Sequence, residues 1–402
     1  MKKIMPLLLI AYGLFTACQP AAVQPFQVCQ EDLSLNPDHP KAAAYQAVLE
    51  EYVGRGVPGT VALVYTPEDG LWLGAAGHAV LENAEPMQTC NLFYSASTAK
   101  TYHVVAALKL VEQGKLDLKA PIAQYLAPKY AAMIPLSDQI KVEQLMNHTS
   151  GIRDFIEETD HISDYFHNLN REYTTDDYLA YISDKEPLFE PGTRVYYSNT
   201  NTVVLALIMD HIYGDHAKAL TDFIIEPLGL ERTFYKNQAG YPAPPGAVNC
   251  YMDLYGNGTL QNATDWERNF TNMNIGHDAM LVNPYDNYRF LKALFAGALI
   301  DSALVDSMRT IFNGNDFIGL GLGIEATFFE GDISENLGHN GGSLGGAHEM
   351  RFYPEAGVYI CTSANFGGFI DSPIGELFYP SGNQLGEGDN LYNALEKIAF
   401  GL

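Results

Sequence analysis

The chain has 402 residues, of which 47% are hydrophobic, and its formal net charge at pH 7 is −25. This hydrophobic content supports a large core in one domain or two lobes, and it excludes a disordered chain. Nucleic-acid binding is also excluded, because 48 acidic residues outnumber 23 lysines and arginines and would repel a phosphate backbone.

The N-terminus has the features of a secretory signal. Lys2 and Lys3 precede an apolar run at residues 4–15, which is too short to span a bilayer. Small residues follow this run, as they do before a signal-peptide cleavage site. We therefore predict that residues 1–17 form a signal peptide and that the mature protein resides in the cell envelope or periplasm.

Cys18 is a candidate site of lipidation. Residues 15–18, Phe-Thr-Ala-Cys, resemble the lipobox of bacterial lipoproteins, in which the cysteine is diacylated and becomes the mature N-terminus. Residues 18–40 are rich in Pro, Ala and Gln, and we predict that they tether the folded domain to a membrane. Ordinary signal cleavage near this position, without a lipid, is the alternative.

The first elements predicted after the tether are a helix and a β-hairpin. The helix is expected at residues 41–53, and the two strands at residues 60–65 and 71–76 are separated by a turn sequence. Between about residues 97 and 209 the apolar pattern becomes helical. Residues 231–280 are rich in Gly, Asn and Pro, and their pattern predicts no definite element.

The C-terminal part returns to strands, and strands near both ends of the chain predict an α+β fold. This is an α/β sandwich in which an antiparallel sheet, built from the N- and C-terminal segments, is flanked by helices. We predict one domain, residues 41–402, with a sheet lobe at residues 41–96 and 281–402 and a mainly helical lobe inserted at residues 97–280. The predicted C-terminal elements are a helix at 284–299, strands at 319–324, 348–353 and 358–363, and a helix at 389–400.

The remaining cysteines leave several possibilities open. Cys29, Cys90, Cys250 and Cys361 could form two disulfides in three different pairings in an oxidising compartment, or they could be free and buried. The eleven histidines show no compact ligand spacing such as H-E-x-x-H. The sequence therefore predicts no metal site.

Ser97-Thr98-Ala99-Lys100 is the only S-x-x-K sequence in the chain. Residues three apart share one face of a helix, so the Lys100 amine can approach the Ser97 hydroxyl and accept its proton. An apolar helix follows and ends near Gly114, which would bury the lysine and favour its neutral form. The alternative is an ordinary N-cap serine followed by an ordinary helical lysine.

Tyr197-Ser198-Asn199 is a second candidate motif. It follows a loop at residues 189–193 and precedes an apolar helix at residues 203–209. A phenol in this position can transfer the serine proton or protonate a leaving group, and the Asn199 amide can bind a substrate carbonyl. The alternative is that Tyr197 only fills space in the core.

His339-Asn340-Gly341-Gly342 contains the chain's only H-x-G and begins a strand-like segment. Glycine lets a backbone approach a substrate closely, so the Gly342 N–H could join the Ser97 N–H in an oxyanion hole. A glycine-rich turn with an incidental histidine is the alternative.

Together the three motifs resemble those of the serine β-lactamase family, on the side of class C β-lactamases, D-alanyl-D-alanine carboxypeptidases and related esterases. The resemblance covers residues 41–365, with supporting segments at residues 114–118, 145–152 and 227–230. It implies an acyl-enzyme at Ser97 and no cofactor. It also implies that Lys100 and Tyr197 transfer protons and that the substrate-binding residues are Asn199, His339, Asn340, Gly341 and Gly342.

The third motif departs from the Lys-Thr-Gly that is usual in the β-lactamases. Histidine is only partly charged at neutral pH, so His339 is a weaker cation for a substrate carboxylate than lysine. We therefore expect an exported serine hydrolase that acts on D-amino-acid peptides, in the manner of a D-alanyl-D-alanine carboxypeptidase. An esterase is the first alternative, and a β-lactamase is the second.

A function of another class is a sensor that binds penicillin or peptidoglycan without turnover. In either case the expected partner is a small-molecule or peptide substrate. Contact with a membrane is expected only through the N-terminal lipid, and the sequence predicts no particular oligomeric state.

Overall fold

In a computed structural model of the chain, the described residues are 27–29, 33, 36, 38–235, 244–273, 275–310, 312–313, 318–320, 323–327, 336–367, 373–377 and 390–402. The predicted signal peptide, Cys18 and most of the predicted tether lie outside these residues. None of the described helices is both long enough and apolar enough to cross a membrane.

The central feature of the fold is an antiparallel sheet, which has nine strands within the described residues. The strands of the chain are β1 (Gly59–Thr66), β2 (Gly70–Val80), β3 (Glu85–Pro86), β4 (Phe93–Tyr94), β5 (Phe234–Tyr235), β6 (Tyr251–Met252), β7 (Gln261–Asn262), β8 (Met280–Val282), β9 (Phe312–Asn313), β10 (Ile318–Leu320), β11 (Glu325–Thr327), β12 (Asn336–Gly342), β13 (Ala347–Tyr353), β14 (Val358–Ala364) and β15 (Phe366–Gly367). The order across the large sheet is β3-β2-β1-β14-β13-β12-β11-β10-β9. The N-terminal hairpin is thereby joined directly to the C-terminal strands through the β1–β14 pair.

Helices cover both faces of this sheet. Their bounds are α1 (Ala42–Gly54), α2 (Ala99–Glu112), α3 (Pro128–Met133), α4 (Val142–Met146), α5 (Thr159–His167), α6 (Thr175–Ala180), α7 (Asn199–Tyr213), α8 (His216–Leu220), α9 (Glu226–Leu228), α10 (Thr264–Met273), α11 (Pro284–Phe295), α12 (Ser302–Met308) and α13 (Leu391–Phe400).

Strand β1 shows why the sheet is covered on both sides. Val61 and Leu63 belong to the larger core with the inserted helices, whereas Ala62 and Val64 belong to a second core with α1 and α13. Successive side chains of a strand point to opposite faces, so a run that is apolar at every position fits a strand buried on both faces.

Helix α2 is enclosed by the larger core. Every residue from Ala99 to Leu108 is buried, and burial of apolar side chains contributes about 25 cal/mol per Å² to stability. The start of α2 is therefore held on several sides by packing, which fixes the position of the adjoining Ser97.

The architecture agrees with the predicted α+β class, with some differences in detail. The helix expected at residues 284–299 ends at Phe295, and the helix expected at 389–400 begins at Leu391. The strand expected at residues 319–324 corresponds to the three-residue β10, and Ile324 lies outside any strand. Residues 231–280, for which no definite element was predicted, contain the two-residue strands β5, β6 and β7, the ten-residue helix α10 and the first residue of β8. The proposed division into two lobes stays a prediction.

One of the possible disulfides is formed. Cys29 is bonded to Cys90, with the two Cα atoms 6.0 Å apart, whereas Cys250 and Cys361 are free and buried. The sequence left open either two disulfides or free buried cysteines, and the structure has one disulfide and two free cysteines. The bond attaches the start of the described chain to the loop that precedes β4.

Candidate active site

The candidate nucleophile, Ser97, lies in a strained turn. It is the middle residue of a 3₁₀ turn, Ala96–Thr98, that leads into α2. Ala96 has a φ angle of 48°, in the left-handed region that alanine rarely adopts. The buried Asp278 carboxylate holds the turn by accepting hydrogen bonds from the Ala96 N–H and, at 3.5 Å, from Ser95 Oγ. Ser97 is left half-buried at the N-terminal end of a helix, which favours developing negative charge.

Lys100 is placed to accept the Ser97 proton. Its Nζ lies 2.8 Å from Ser97 Oγ and donates a hydrogen bond to the His277 backbone carbonyl at 3.2 Å. Burial of Lys100 lowers the pKa of its amine to about 7, although the charges of Asp154 and Asp278 act in the opposite direction. A large fraction of the amine is therefore neutral near pH 7, and only the neutral amine can accept a proton.

Tyr197 borders the same serine and lysine pair. Its ring centroid lies 5.1 Å from Lys100 Nζ and 6.1 Å from the centroid of the His339 ring. The ring of His148 stacks on Tyr197 with the centroids 4.4 Å apart, and His148 Nδ1 accepts a hydrogen bond from the Ser198 N–H at 3.1 Å. Burial lowers the pKa of His148 well below its ordinary value, so this stacked ring is neutral.

Asn199 is oriented by a buried acid. Its backbone N–H and its side-chain Nδ2 both donate to Asp154 Oδ2, at 3.0 Å and 2.7 Å. Burial raises the pKa of Asp154 to about 6. The second amide hydrogen and the carbonyl oxygen of Asn199 are the groups that the sequence predicts for substrate binding.

The four residues of the third motif all lie in β12, beside the Ser97 turn. A Cβ atom at Gly341 would lie 2.9 Å from the Ser95 carbonyl oxygen and 3.0 Å from the Ser97 nitrogen, so only glycine permits this approach. The next residue, Gly342, is exposed and pairs with Ala347 of β13. Its role as an oxyanion-hole donor stays a prediction.

His339 is buried within a network of charged residues. Its Nδ1 lies 2.6 Å from the Asn340 carbonyl oxygen, a contact that requires the hydrogen on Nδ1. Glu325 approaches the same nitrogen at 3.9 Å and accepts a hydrogen bond from Arg351 at 2.9 Å. Burial lowers the pKa of His339, although the Glu325 charge raises it. His339 is therefore mainly neutral at pH 7 and is not a permanent cation for a substrate carboxylate.

Two further buried acids support the backbone around Ser97. Asp278 binds the turn before Ser97, and Glu267 accepts a hydrogen bond at 2.8 Å from the Gly345 N–H in the loop after β12. Burial raises the pKa of both carboxyl groups, and the charge of Asp278 raises that of Glu267 further. The acids thus hold two backbone segments that meet at the site, and no sequence motif pointed to either one.

The described residues contain one group of side chains with metal-ligand geometry. Ligand atoms of Asp210, Asp215 and His216 lie within 4.8 Å of one another. Each residue has a local role, because both ring nitrogens of His216 are hydrogen-bonded, to Asp210 and to Tyr235, and Asp215 caps α8. These contacts account for the group without an ion.

Comparison with known proteins identifies the family. The family model described as Beta-lactamase matches residues 45–373. The chain belongs to the β-lactamase family. The family, the fold class and the serine-hydrolase class predicted from the three motifs are thereby confirmed.

Relatives within the β-lactamase family carry names that describe different functions. Penicillin-binding protein 4 of Amycolatopsis lactamdurans is 26% identical over 342 residues, which cover 80% of this chain and 84% of that protein. Esterase EstB of Burkholderia gladioli is 28% identical over 200 residues, which cover 47% of this chain and 50% of the esterase. The chain spans about half the length of several curated relatives, EstB among them.

Solved structures are also similar to this chain over most of its length. The structure of D-amino acid amidase from Ochrobactrum anthropi SV3 superposes with a TM-score of 0.73 at 25% identity. The alignment covers 89% of this chain and 99% of the amidase. The family fold therefore extends over most of the chain.

Several residues of this β-lactamase-family site were missed by the sequence analysis. His148 lies in the supporting segment at residues 145–152, so that segment already held a signal for it. Asp154, Asp278 and Glu325 had no such signal, because none of them belongs to a motif or to a supporting segment. Only the folded chain brings their carboxylates close enough to influence Lys100.

The pH dependence of acylation tests the role of Lys100. We expect kcat/KM for p-nitrophenyl acetate to rise with pH through about 7, as the Lys100 amine loses its proton. Asp154→Asn removes a charge that raises the Lys100 pKa, so this rise should move to lower pH by about one unit. The matched control is Asp160→Asn, whose side chain is 79% exposed. A rise that stays in place or moves to higher pH would contradict the proton-accepting role.

The close approach of β12 to Ser97 gives a second prediction. Gly341→Ala places a Cβ within 3.1 Å of three atoms of the nucleophile turn, which must move apart. We expect kcat/KM for the same ester to fall by roughly 10–100-fold through lost alignment. Gly54→Ala is the control, because its Cβ meets nothing within 4 Å. Equal activities of the two folded variants, verified by circular dichroism, would show that this contact is unimportant.

Proposed function

We propose that the chain hydrolyses its substrate through an acyl-enzyme at Ser97. The observation that supports this most directly is the 2.8 Å contact between Ser97 Oγ and Lys100 Nζ, combined with a Lys100 pKa of about 7. The neutral amine removes the hydroxyl proton as Oγ attacks the substrate carbonyl. The resulting oxyanion is stabilised by backbone N–H groups, for which Ser97 and Gly342 are the candidates.

The second half of the reaction returns the enzyme to its starting state. Tyr197 donates a proton to the leaving group as the bond between carbonyl carbon and leaving group breaks. Lys100 then passes the proton it took from Ser97 to Tyr197, which restores both groups. Water attacks the acyl-enzyme and loses a proton to the Lys100 and Tyr197 pair, the bond between Ser97 Oγ and the acyl carbon breaks, and the pair returns this proton to Oγ as the carboxylic acid leaves. Atoms balance with water as the only co-reactant, and the proposed steps use no cofactor.

For the substrate, we propose amides and peptides of D-amino acids. The similarity to D-amino acid amidase over most of the chain supports this class. A neutral His339 offers little attraction for a C-terminal carboxylate, so the structure favours amide hydrolysis over strict carboxypeptidase specificity. An esterase is the second candidate, because EstB is among the relatives.

A substrate panel tests the function. Wild-type protein is assayed with D-phenylalaninamide, a D-alanyl-D-alanine peptide, p-nitrophenyl acetate and nitrocefin, alongside Ser97→Ala. We expect turnover of the D-amide and the ester, with a loss of roughly 10³-fold or more in Ser97→Ala. Thr98→Ser, next to the nucleophile, is the control. Full activity of Ser97→Ala contradicts the mechanism, and stable labelling by a fluorescent penicillin without turnover supports the sensor instead.

We also propose that the protein is exported and anchored through a lipid on Cys18. The two lysines, the apolar run and the lipobox-like residues support export, and the Cys29–Cys90 disulfide is consistent with an oxidising compartment. Anchoring would keep the hydrolase in the cell envelope.

Metabolic labelling tests the anchor. The full chain is expressed in a bacterium that is fed an alkyne fatty acid, and we expect label and membrane association for the wild type. Cys18→Ser should lose both, whereas Cys361→Ser should keep both. Export of an unlabelled wild-type protein would instead demonstrate ordinary signal cleavage.

A further inference from the structure

A mostly apolar cavity of about 320 Å³ lies between α5, α10 and the loop that follows β12. Most of its wall consists of aliphatic and aromatic side chains. These are Ile156, Ile162, Tyr165, Phe166, Phe270 and Leu344. A cavity of this size and lining suits a ring or a branched hydrocarbon chain.

The walls of this cavity contact the residues that hold Lys100. The carbonyl that accepts a hydrogen bond from Lys100 belongs to His277. The His277 ring lies between Phe155 and Phe270, with centroid distances of 5.6 Å and 6.4 Å. Phe270 is part of the cavity wall, and Phe155 directly precedes the wall residue Ile156. The cavity is therefore a near neighbour of the catalytic pair.

The β12 strand makes a second connection. Leu344 follows Gly342 by two residues, and Gly341 packs directly against the Ser97 turn. Two residues span at most about 7 Å, so Leu344 lies close to the end of β12 that adjoins the Ser97 turn.

Helix α5 exposes apolar surface at the rim of the cavity. Ile162 is 43% exposed and Phe166 is 50% exposed. Their four-residue spacing places them on one helix face. Exposed apolar side chains that border a concave site are a common feature of ligand-binding surfaces.

The charges around the cavity exclude an anionic occupant. Glu157 is its one ionisable acid, and its carboxylate is hydrogen-bonded to the Tyr196 hydroxyl. Burial lowers the pKa of the wall residue His161 to about 4, so its ring is neutral at physiological pH, and burial raises the pKa of Tyr165, which keeps its phenol neutral. The described wall thus offers no cation to a carboxylate or phosphate.

The position of Tyr197 indicates which part of the substrate faces the cavity. Tyr197, as the proposed donor to the leaving group, lies near His339 in β12. The cavity lies at Leu344, which follows the C-terminal end of β12. A substrate that places its leaving group near Tyr197 directs its acyl group toward Leu344.

We propose that this cavity binds the acyl side chain of the substrate and selects an aromatic or branched aliphatic group. The inference rests on the proposed function, because it presumes acylation at Ser97. Small acyl groups such as acetyl leave the cavity unfilled and gain none of the apolar burial. A phenyl-bearing acyl group buries apolar surface in the cavity, so it should be preferred by roughly tenfold or more.

The test compares p-nitrophenyl acetate with p-nitrophenyl 3-phenylpropionate, which share one leaving group. We expect kcat/KM of the wild type to be at least roughly tenfold higher for the phenylpropionate. Phe270→Ala and the surface variant Ile162→Ser should lower the ratio of the two kcat/KM values, phenylpropionate over acetate, several-fold. Leu81→Ser, at another exposed aliphatic residue that is 37% exposed, is the matched control.

The outcomes separate this inference from the proposed function. Equal rates for the two esters in the wild type, or equal losses on both esters in the variants, would overturn the acyl cavity and leave Ser97 chemistry intact. A series of acetate esters with leaving groups of increasing size provides a further check. If the effect of Ile162→Ser on kcat/KM grows with the size of the leaving group, the cavity lies on the leaving-group side. Absence of turnover for every ester and for D-phenylalaninamide would reject acylation at Ser97, and the acyl cavity with it.

Discussion

The burial of the Lys100 amine is the constraint on which the candidate site depends. A lysine in water is charged at neutral pH and cannot accept a proton, whereas burial lowers the Lys100 pKa to about 7. Three acids, Asp154, Asp278 and Glu325, lie close enough to oppose this shift. Each is also bound to another group, respectively Asn199, the Ala96 N–H and Arg351. The three carboxylates thus raise the Lys100 pKa, but burial lowers it by more and favours the neutral amine.

The buried acids also explain how segments far apart in the chain form one site. Asp154 connects the segment after α4 to the start of α7, and Asp278 connects the segment before β8 to the Ser97 turn. Removing a buried carboxylate without a matching loss of its donors leaves N–H groups unpaired, which costs more than the bond itself. The site is therefore tied to the complete fold, because each acid also binds a donor from a distant segment.

The sequence predicted the parts of the site that are local. Ser97 and Lys100 are three residues apart, and Tyr197 and Asn199 share one turn, so spacing alone placed each pair together. His339 was predicted to flank the site, but its neutral state results from burial, which outweighs the opposing charge of Glu325. Glu325 lies 14 residues earlier in the chain and belongs to no motif. The apolar cavity was not predicted either, since no element was predicted at the position of α10, and the space between α5 and α10 arises only from packing.

The disulfide between Cys29 and Cys90 sets a limit on how far the domain can stand from a membrane. With Cys18 as the proposed anchor point, only the eleven peptide steps from Cys18 to Cys29 separate the lipid from a covalent attachment to the folded domain. Fully extended, these steps reach at most about 40 Å. The hydrolase would then work within roughly one domain diameter of the lipid surface. Its accessible substrates would be those that enter this narrow layer.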